Sequence, residues 1–289
     1  ILAPIHHAGI DIQLMIVGDR QIDRRHRGEN GDQNNDAAFS SVADRLTHRF
    51  VVPGAVVNHV SLIRPVDFRD RVAEEQAGYL AGYAAVTEGY RELGFMGGIA
   101  VPAVVRFGYG YVQGADAAAK ALGLDKGAVK IKYTYVGNFD ASPENQTKAA
   151  AWYNEGTECI FACGGGVGNS VMKAAETVNK FVIGVDVDQS GESPTVITSA
   201  MKNLGDSVYN ALDNYYKGSF EGGKKLTLTA RENGVELPMD TSKFTKFTKE
   251  DYDKLYKGLQ DGLIEVKGDS EAKDLALLNT EIVEVNEIK

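Results

Sequence analysis

Several features are scarce or missing, and each absence excludes something. The chain of 289 residues has two cysteines, Cys159 and Cys163. That is too few for a disulfide framework. On a strand they would share a face but lie about 13 Å apart, beyond bridging reach. Two packed thiols are therefore expected, and with no histidine near them they make no zinc site. No apolar run reaches the roughly 18 residues that span a bilayer. All five histidines lie before residue 60, so a Ser–His–Asp or Cys–His arrangement would have to draw on the first fifth of the chain. No G-x-S-x-G or H-E-x-x-H motif occurs. The net charge of −9 repels phosphate backbones, so no nucleic-acid partner is expected. The remaining composition, 43% hydrophobic and 25% charged, is that of an ordinary globular protein, and the length suggests about two domains.

Two residue types are absent locally. Residues 1–72 hold no Lys and no Tyr, whereas the other 217 hold all 19 Lys and all 13 Tyr. With even scattering this gap has a chance of (217/289)^32, on the order of one in ten thousand. Arg and His show the opposite bias, nine of twelve Arg lying before residue 72. A separate evolutionary origin, an altered reading frame and a cloning artefact each account for such a break. Within this segment Asp11–Val17 reads as a strand and Gly28–Asp36 as a polar loop. Phe50–Val57 is apolar but interrupted by Pro53 and Gly54. Arg24, Arg25, His26 and Arg27 read as a solvated surface. His6 and His7 are adjacent and point apart, so they are not read as a metal pair. No signal peptide is legible.

From residue 73 helices and strands alternate. Ala73–Leu93 reads as a helix with Glu74 and Glu75 in its first turn, where the dipole favours acids. Its stripe of Gly78, Gly82 and Ala85 predicts close helix packing. Then come a strand at Gly94–Val101, a helix at Ala103–Leu122 ended by Gly123, and a strand at Val129–Val136 with period-two alternation. A helix from Pro143 to about Asn154, capped by Ser142 or Asp140, comes next. Further strands are read at Glu158–Ala162, Phe181–Val187, Val196–Thr198 and Lys225–Thr229, and further helices at Asn169–Val178, Met201–Lys217 and Lys249–Leu259. This order implies an α/β fold with a parallel sheet and right-handed crossovers.

Ligands of such sheets sit beyond the carboxyl ends of the strands. That rule marks the turns at Ala100–Arg106, Gly137–Ser142, Cys163–Asn169 and Asp186–Ser193. Phe139 can stack on a flat ligand or plug an edge, and Phe161 is a core residue or a ligand-facing one. The glycine turn Gly164–Gly168 fails the G-x-G-x-x-G spacing from either start and reads as a tight turn with backbone free to approach a small ligand. Asp186 and Asp188 would share a side. A carboxylate there accepts two hydrogen bonds from a vicinal diol such as ribose, with a solvated loop as the other reading and a metal as a third. Lys202, placed at a helix start where a cation is unfavourable, needs Asp186, Asp206 or a ligand as partner.

The stretches 73–82 (AEEQAGYLAG), 93–102 (LGFMGGIAVP), 105–110 (VRFGYG), 136–140 (VGNFD), the glycine turn, 184–189 (GVDVDQ) and 198–202 (TSAMK) together resemble the basic-membrane-protein family, purine nucleoside receptor A-like substrate-binding lipoproteins of bacterial ABC transporters. The resemblance covers residues 73–267. It implies a two-lobed, type I periplasmic-binding-protein-like fold, each lobe a parallel sheet flanked by helices. Lobe I would comprise residues 1–92 with about 191–222 and 246–289; lobe II would comprise 93–190 with about 223–245. It implies a non-enzymatic, extracytoplasmic, lipid-anchored receptor that takes a purine nucleoside in its interlobe cleft, needs no cofactor or metal, and passes the ligand to a permease. By the same resemblance Asp186 matches the ribose aspartate and Lys202 the assisting lysine. Gly164 and Gly165 fall in the ligand-contacting turn, and Phe139 or Phe161 is the aromatic of the second lobe. Family members open with a D-x-S-F-N-type loop, of which Asn35–Phe39 is a distant echo, and carry a lipid-bearing cysteine that is absent here. An N-terminally altered derivative with weakened binding is the alternative reading, and a Rossmann-type NAD enzyme a remote one.

Overall fold

The computed structural model describes residues 4–7, 10–13, 71–220 and 226–288. The chain divides into two compact units, Ile1–Pro65 and Val66–Lys289. In the first, β1 (Pro4–His7) and β2 (Ile10–Gln13) pair antiparallel, His7 opposite Ile10. The strand expected at Asp11–Val17 thus starts one residue earlier, and its last four residues lie outside the described residues, as do the loop at 28–36, the basic cluster at 24–27, the Asn35–Phe39 echo and the apolar stretch at 50–57.

The second unit is built on a seven-stranded sheet. Its strands are β4 (Glu92–Gly97), β5 (Val129–Tyr135), β6 (Cys159–Cys163), β7 (Phe181–Asp186), β8 (Val196–Lys202), β10 (Val235–Glu236) and β11 (Val283–Glu287), in the order β10-β8-β7-β6-β4-β5-β11. All pairings are parallel except that of β10 with β8. A separate parallel pair joins β3 (Arg71–Val72) to β9 (Thr227–Leu228). Because β8 and β11 are hydrogen-bonded into the same sheet as β4–β7, the sheet runs past the lobe boundary expected near residue 190.

Alternation along the strands divides the core between two faces. On one, Phe95, Ile131, Tyr133, Phe161 and Ile183 pack under helices α1 (Glu74–Glu88) and α2 (Pro102–Ala121). On the other, Met96, Ile160, Ala162 and Val182 pack under α3 (Pro143–Asn154) and α4 (Gly166–Val178). Cys159 and Cys163 are free, buried thiols in β6. Helix α5 (Leu204–Tyr216) has no buried residue, and α6 (Lys249–Gln260) packs Tyr252, Leu255 and Leu259 inward.

Local chemistry explains the boundaries. Ser142 accepts from the Asn145 N–H at 3.1 Å with Pro143 in the first turn, the expected cap. Helix α1 stops at Glu88, short of Leu93, because Gly89 turns left-handed at φ 115°. Strand β8 runs on to Lys202, so α5 begins three residues later than expected. The small-residue stripe brings α1 and α2 into backbone contact. A Cβ on Gly78 or Gly82 would lie 2.1 Å from the Phe107 or Tyr111 carbonyl oxygen, and one on Gly110 or Gly114 about as close to those of Glu75 and Tyr79.

Candidate functional site

Parallel strands deliver their carboxyl ends to one edge, and the singled-out turns lie there. Backbone hydrogen bonds stitch three of them together. Gly98 N–H donates to the Cys163 carbonyl at 2.9 Å, Gly137 N–H to Gly98 at 3.0 Å, and Gly166 N–H to Phe139 at 2.9 Å. Glycine is required by contact: a Cβ on Gly164 would sit 2.7 Å from Gly98 N, and one on Gly166 2.5 Å from Ala141 N. Gly165 is exposed at φ 53°, while Gly164 is buried. The amides of Gly166, Val167 and Gly168 donate to Phe139, Gly164 and Gly165 carbonyls. The start of α4 is therefore occupied by backbone bonds instead of offering the free donors a phosphate takes.

Phe139 is 40% exposed. Its ring lies over Gly98, where a Cβ would meet Cδ1 at 2.3 Å. Its loop is fixed from both sides. Asn138 Oδ1 accepts from Asp140 N–H and from Asn145 Nδ2, both at 3.0 Å. Ser142 and Ser170 exchange bonds of 3.0 and 3.1 Å. Phe161 is different: it is wholly buried, with ring centroids of Tyr111, Phe95 and Phe107 at 5.3, 5.5 and 5.9 Å. Of the two aromatics left open by sequence, Phe161 belongs to the core and Phe139 presents a ring to the edge.

Asp186 ends β7 in the left-handed region at φ 68°, a conformation that costs on the order of 1–3 kcal/mol for a side chain of this type and clusters at functional sites. One oxygen, Oδ1, is buried 2.8 Å from Lys202 Nζ. The side chain is nonetheless 48% exposed, so its open surface belongs to the rest of the carboxylate. The turn is held by Gln189, whose Oε1 accepts from Val185 N–H at 2.8 Å. Asp188 lies beyond the end of β7 at Asp186 and takes different partners. It accepts from Ser190 N–H at 2.9 Å and Thr241 Oγ1 at 2.7 Å. Burial pushes its pKa up, but these bonds outweigh it and hold the carboxyl below its ordinary value.

Lys202 sits at the end of β8, not in a helix, and is 15% exposed. Its ammonium lies 5.5 Å from the Phe107 ring centroid and 3.9 Å from Glu74 Oε1. Sequence reasoning missed the role of Glu74 and its neighbours here. Glu74 Oε2 accepts from Arg106 Nε at 2.7 Å, and Arg106 reaches Asp269 Oδ1 at 3.3 Å. Glu75 pairs with Arg71 at 3.0 Å, and burial raises its pKa against the lowering effect of hydrogen bonding and of Arg71 and Arg106. Glu74, read as a helix-dipole acid, belongs to a buried ion network behind the lysine, and Glu75 lies beside it on Arg71. Their occurrence with Arg106 inside the resembling stretches was the available signal. Among the described residues no three His, Cys, Asp or Glu side chains group as metal ligands. No described helix is long and apolar enough to cross a membrane.

The architecture is that of solute-binding proteins. A solved structure of an ABC transporter solute-binding protein from Aeropyrum pernix K1 superposes with a TM-score of 0.59 at 21% identity, covering 73% of this chain and 71% of the other. The sequence profile of the family described as ABC transporter substrate-binding protein PnrA-like matches residues 31–268. The chain belongs to that family. The match begins inside the Lys- and Tyr-free segment, upstream of residue 73. The nucleoside-binding protein BmpA of an ABC transporter in Lactococcus lactis subsp. cremoris is 29% identical over 226 residues, 72% of this chain and 61% of its own length. Basic membrane protein D of Borreliella burgdorferi is 28% identical over 261 residues, 87% of this chain and 73% of that protein. The chain thus spans less than two thirds of BmpA.

Proposed function

We propose that this protein is the ligand-binding component of an ABC importer and that it binds a purine nucleoside at the carboxyl edge of the sheet. The observation that carries the reading is the Asp186–Lys202 pair at 2.8 Å, one carboxylate oxygen fixed by the ammonium and the rest exposed. The open oxygen, Oδ2, has two lone pairs with which to accept the hydroxyls of a ribose diol through charge-assisted bonds. The Phe139 loop bonds to Gly166, next to the β6–β7 side of the sheet. Its ring lies over Gly98 at the end of β4, and β6 alone stands between β4 and β7, so two strand spacings, about 10 Å, separate that strand end from the one carrying Asp186, the span of a nucleoside. The base stacks on Phe139, and the Gly164–Gly165 turn lets it approach backbone. The similarity to BmpA, a nucleoside-binding protein by name, supports the ligand class.

The same reading makes the protein a receptor without catalytic turnover, extracytoplasmic, held by a lipid anchor and working with a membrane permease. It also redraws the lobes. Arg71 N–H donates to the Leu226 carbonyl at 2.8 Å, Ala73 N–H to Leu228 at 2.9 Å, and Asn203 N–H to Gly234 at 3.0 Å. The chain therefore enters at 71, leaves at 203 and returns at 226 in one neighbourhood. Between exit and return lies α5, with Leu204, Tyr209, Leu212 and Tyr215 exposed. We assign 71–202 and 227–288 to one lobe and α5 to an excursion outside it. Calorimetric titration with inosine and guanosine tests the function: saturable binding that Asp186→Ala weakens supports it, and silence from a cooperatively melting protein overturns it.

A further inference from the structure

We infer that Glu74 is a positioning residue for the ligand site, acting through Lys202; the inference rests on the nucleoside-binding reading above. Glu74 opens α1 directly after Ala73, which provides no side-chain cap. An acid that served only the helix dipole would stay in water. Glu74 is instead 4% exposed, and a buried carboxylate requires partners. It has two, one for each oxygen: Arg106 Nε at 2.7 Å on Oε2 and Lys202 Nζ at 3.9 Å on Oε1.

With Asp186 as its only anion, Lys202 would follow that carboxylate wherever a ligand drew it. The ammonium lies instead between Asp186 on β7 and Glu74 on α1, with the Phe107 ring of α2 beside it at 5.5 Å. Arg106 in turn is held by Glu74 and Asp269, with Glu75 3.7 Å away, so Glu74 itself has little freedom. The chain Asp269–Arg106–Glu74–Lys202–Asp186 fixes the ammonium from behind, and the ammonium fixes the ligand-facing carboxylate. Glu75, equally a first-turn acid, pairs with Arg71 and Arg106 and has no ion pair with Lys202, which makes it the natural control.

The test is inosine titration of the whole chain and of Glu74→Gln, Lys202→Met, the double variant and Glu75→Gln. Glutamine keeps an oxygen for Arg106 and turns an uncharged amide toward Lys202. Glu74→Gln is expected to weaken inosine binding about tenfold in the native background and less than about twofold in the Lys202→Met background, the non-additivity of residues acting as a unit. Glu75→Gln is expected to lower the melting temperature while leaving affinity within about twofold. Equal loss in both backgrounds, or no loss in the native one, overturns the role. A protein that binds no inosine refutes the nucleoside reading instead. The positioning is then read from the Lys202 ammonium resonance by 15N NMR, which Glu74→Gln must shift and Glu75→Gln must not. An ammonium signal indifferent to Glu74→Gln overturns the inference with or without a ligand.

Discussion

Replacing Gly78 by alanine adds one methyl group at the point where α1 and α2 touch. The new Cβ would stand 2.1 Å from the Phe107 carbonyl oxygen and 2.9 Å from Tyr111 N, all backbone of a helix that cannot yield locally. An ordinary carbon–oxygen contact is about 3.3 Å, so the helices must part by about 1 Å. The other glycine contacts, at Gly82, Gly110 and Gly114, are equally close and would open with it. A radial gap of that size forfeits a quarter to a half of each dispersion contact, and forced overpacking costs about 1–3 kcal/mol. Against this, alanine gains up to about 1 kcal/mol from helix propensity and a less entropic unfolded chain. The net expectation is destabilisation by up to about 3 kcal/mol, a fall in melting temperature of up to about 10 °C, measured by urea and thermal unfolding followed by circular dichroism. Gly168 in α4 is the comparison, since a Cβ there meets nothing nearer than Met172 Cε at 4.0 Å; alanine there should stabilise by up to about 1 kcal/mol. A Gly78→Ala protein that melts higher than the parent would refute the packing argument, because the sign itself is at stake.

The geometry sets four further outcomes. Asp186→Ala should weaken inosine binding by about 1.5–3 kcal/mol, the scale of a charge-assisted hydrogen bond; unchanged affinity in titration removes Asp186 from the site. Phe139→Ala should reduce affinity with little change in melting temperature, whereas Phe161→Ala should cost about 3–5 kcal/mol of stability in denaturant melts; the reverse pattern would restore Phe161 as the ligand aromatic. Inosine should bind at least on the order of tenfold more tightly than its 5′-monophosphate, since Lys202 is already shared between Asp186 and Glu74; competition assays with equal affinities would contradict that. Melting temperature should fall on acidification. Asp116 accepts three backbone N–H groups, from Glu281, Ile282 and Val283 at 2.7–3.0 Å, and Glu88 accepts those of Thr245, Lys246 and Phe247. Burial raises both carboxyls, but these bonds prevail and hold them below their ordinary values of 3.8 and 4.5. A folded pKa below the unfolded one contributes stability above the unfolded pKa and loses it as pH falls through the folded one, so the decline belongs below about pH 4.5. Glu75, raised by burial, works in the opposite direction. Asp116→Asn should flatten the profile, and an unchanged slope would count against this origin.

What could be read from sequence was whatever local chemistry decides. The Ser142–Pro143 start, the alternation of β5, the small-residue stripe of α1 and the placing of turns at strand ends all depend on neighbouring residues. What could not be read depends on partners distant in the chain. Glu74 and Glu75 look the same in sequence as solvated dipole acids, and only the fold brings Arg106 and Lys202 to Glu74 and Arg106 to Glu75. Phe139 and Phe161 are both aromatics near strand ends; sheet register, pairing Phe95 with Phe161 in neighbouring strands, decides which is core. The expectation for Asp186 and Asp188 assumes a continuing strand, whereas β7 ends at Asp186 in the left-handed region and Asp188 pairs with Ser190 and Thr241. The apolar residues of α5 predict a helix without saying whether it is covered, and none of them is buried in the sheet-based unit.

Asp186 holding a nucleoside is the centre of the functional reading, and isothermal titration of the purified chain and its Asp186→Ala variant with inosine and guanosine tests that most directly. The expected result is saturable, one-site binding in the micromolar range or tighter, weakened by at least about tenfold in the variant. Absence of heat from a protein that melts cooperatively, or equal affinity in parent and variant, would contradict it.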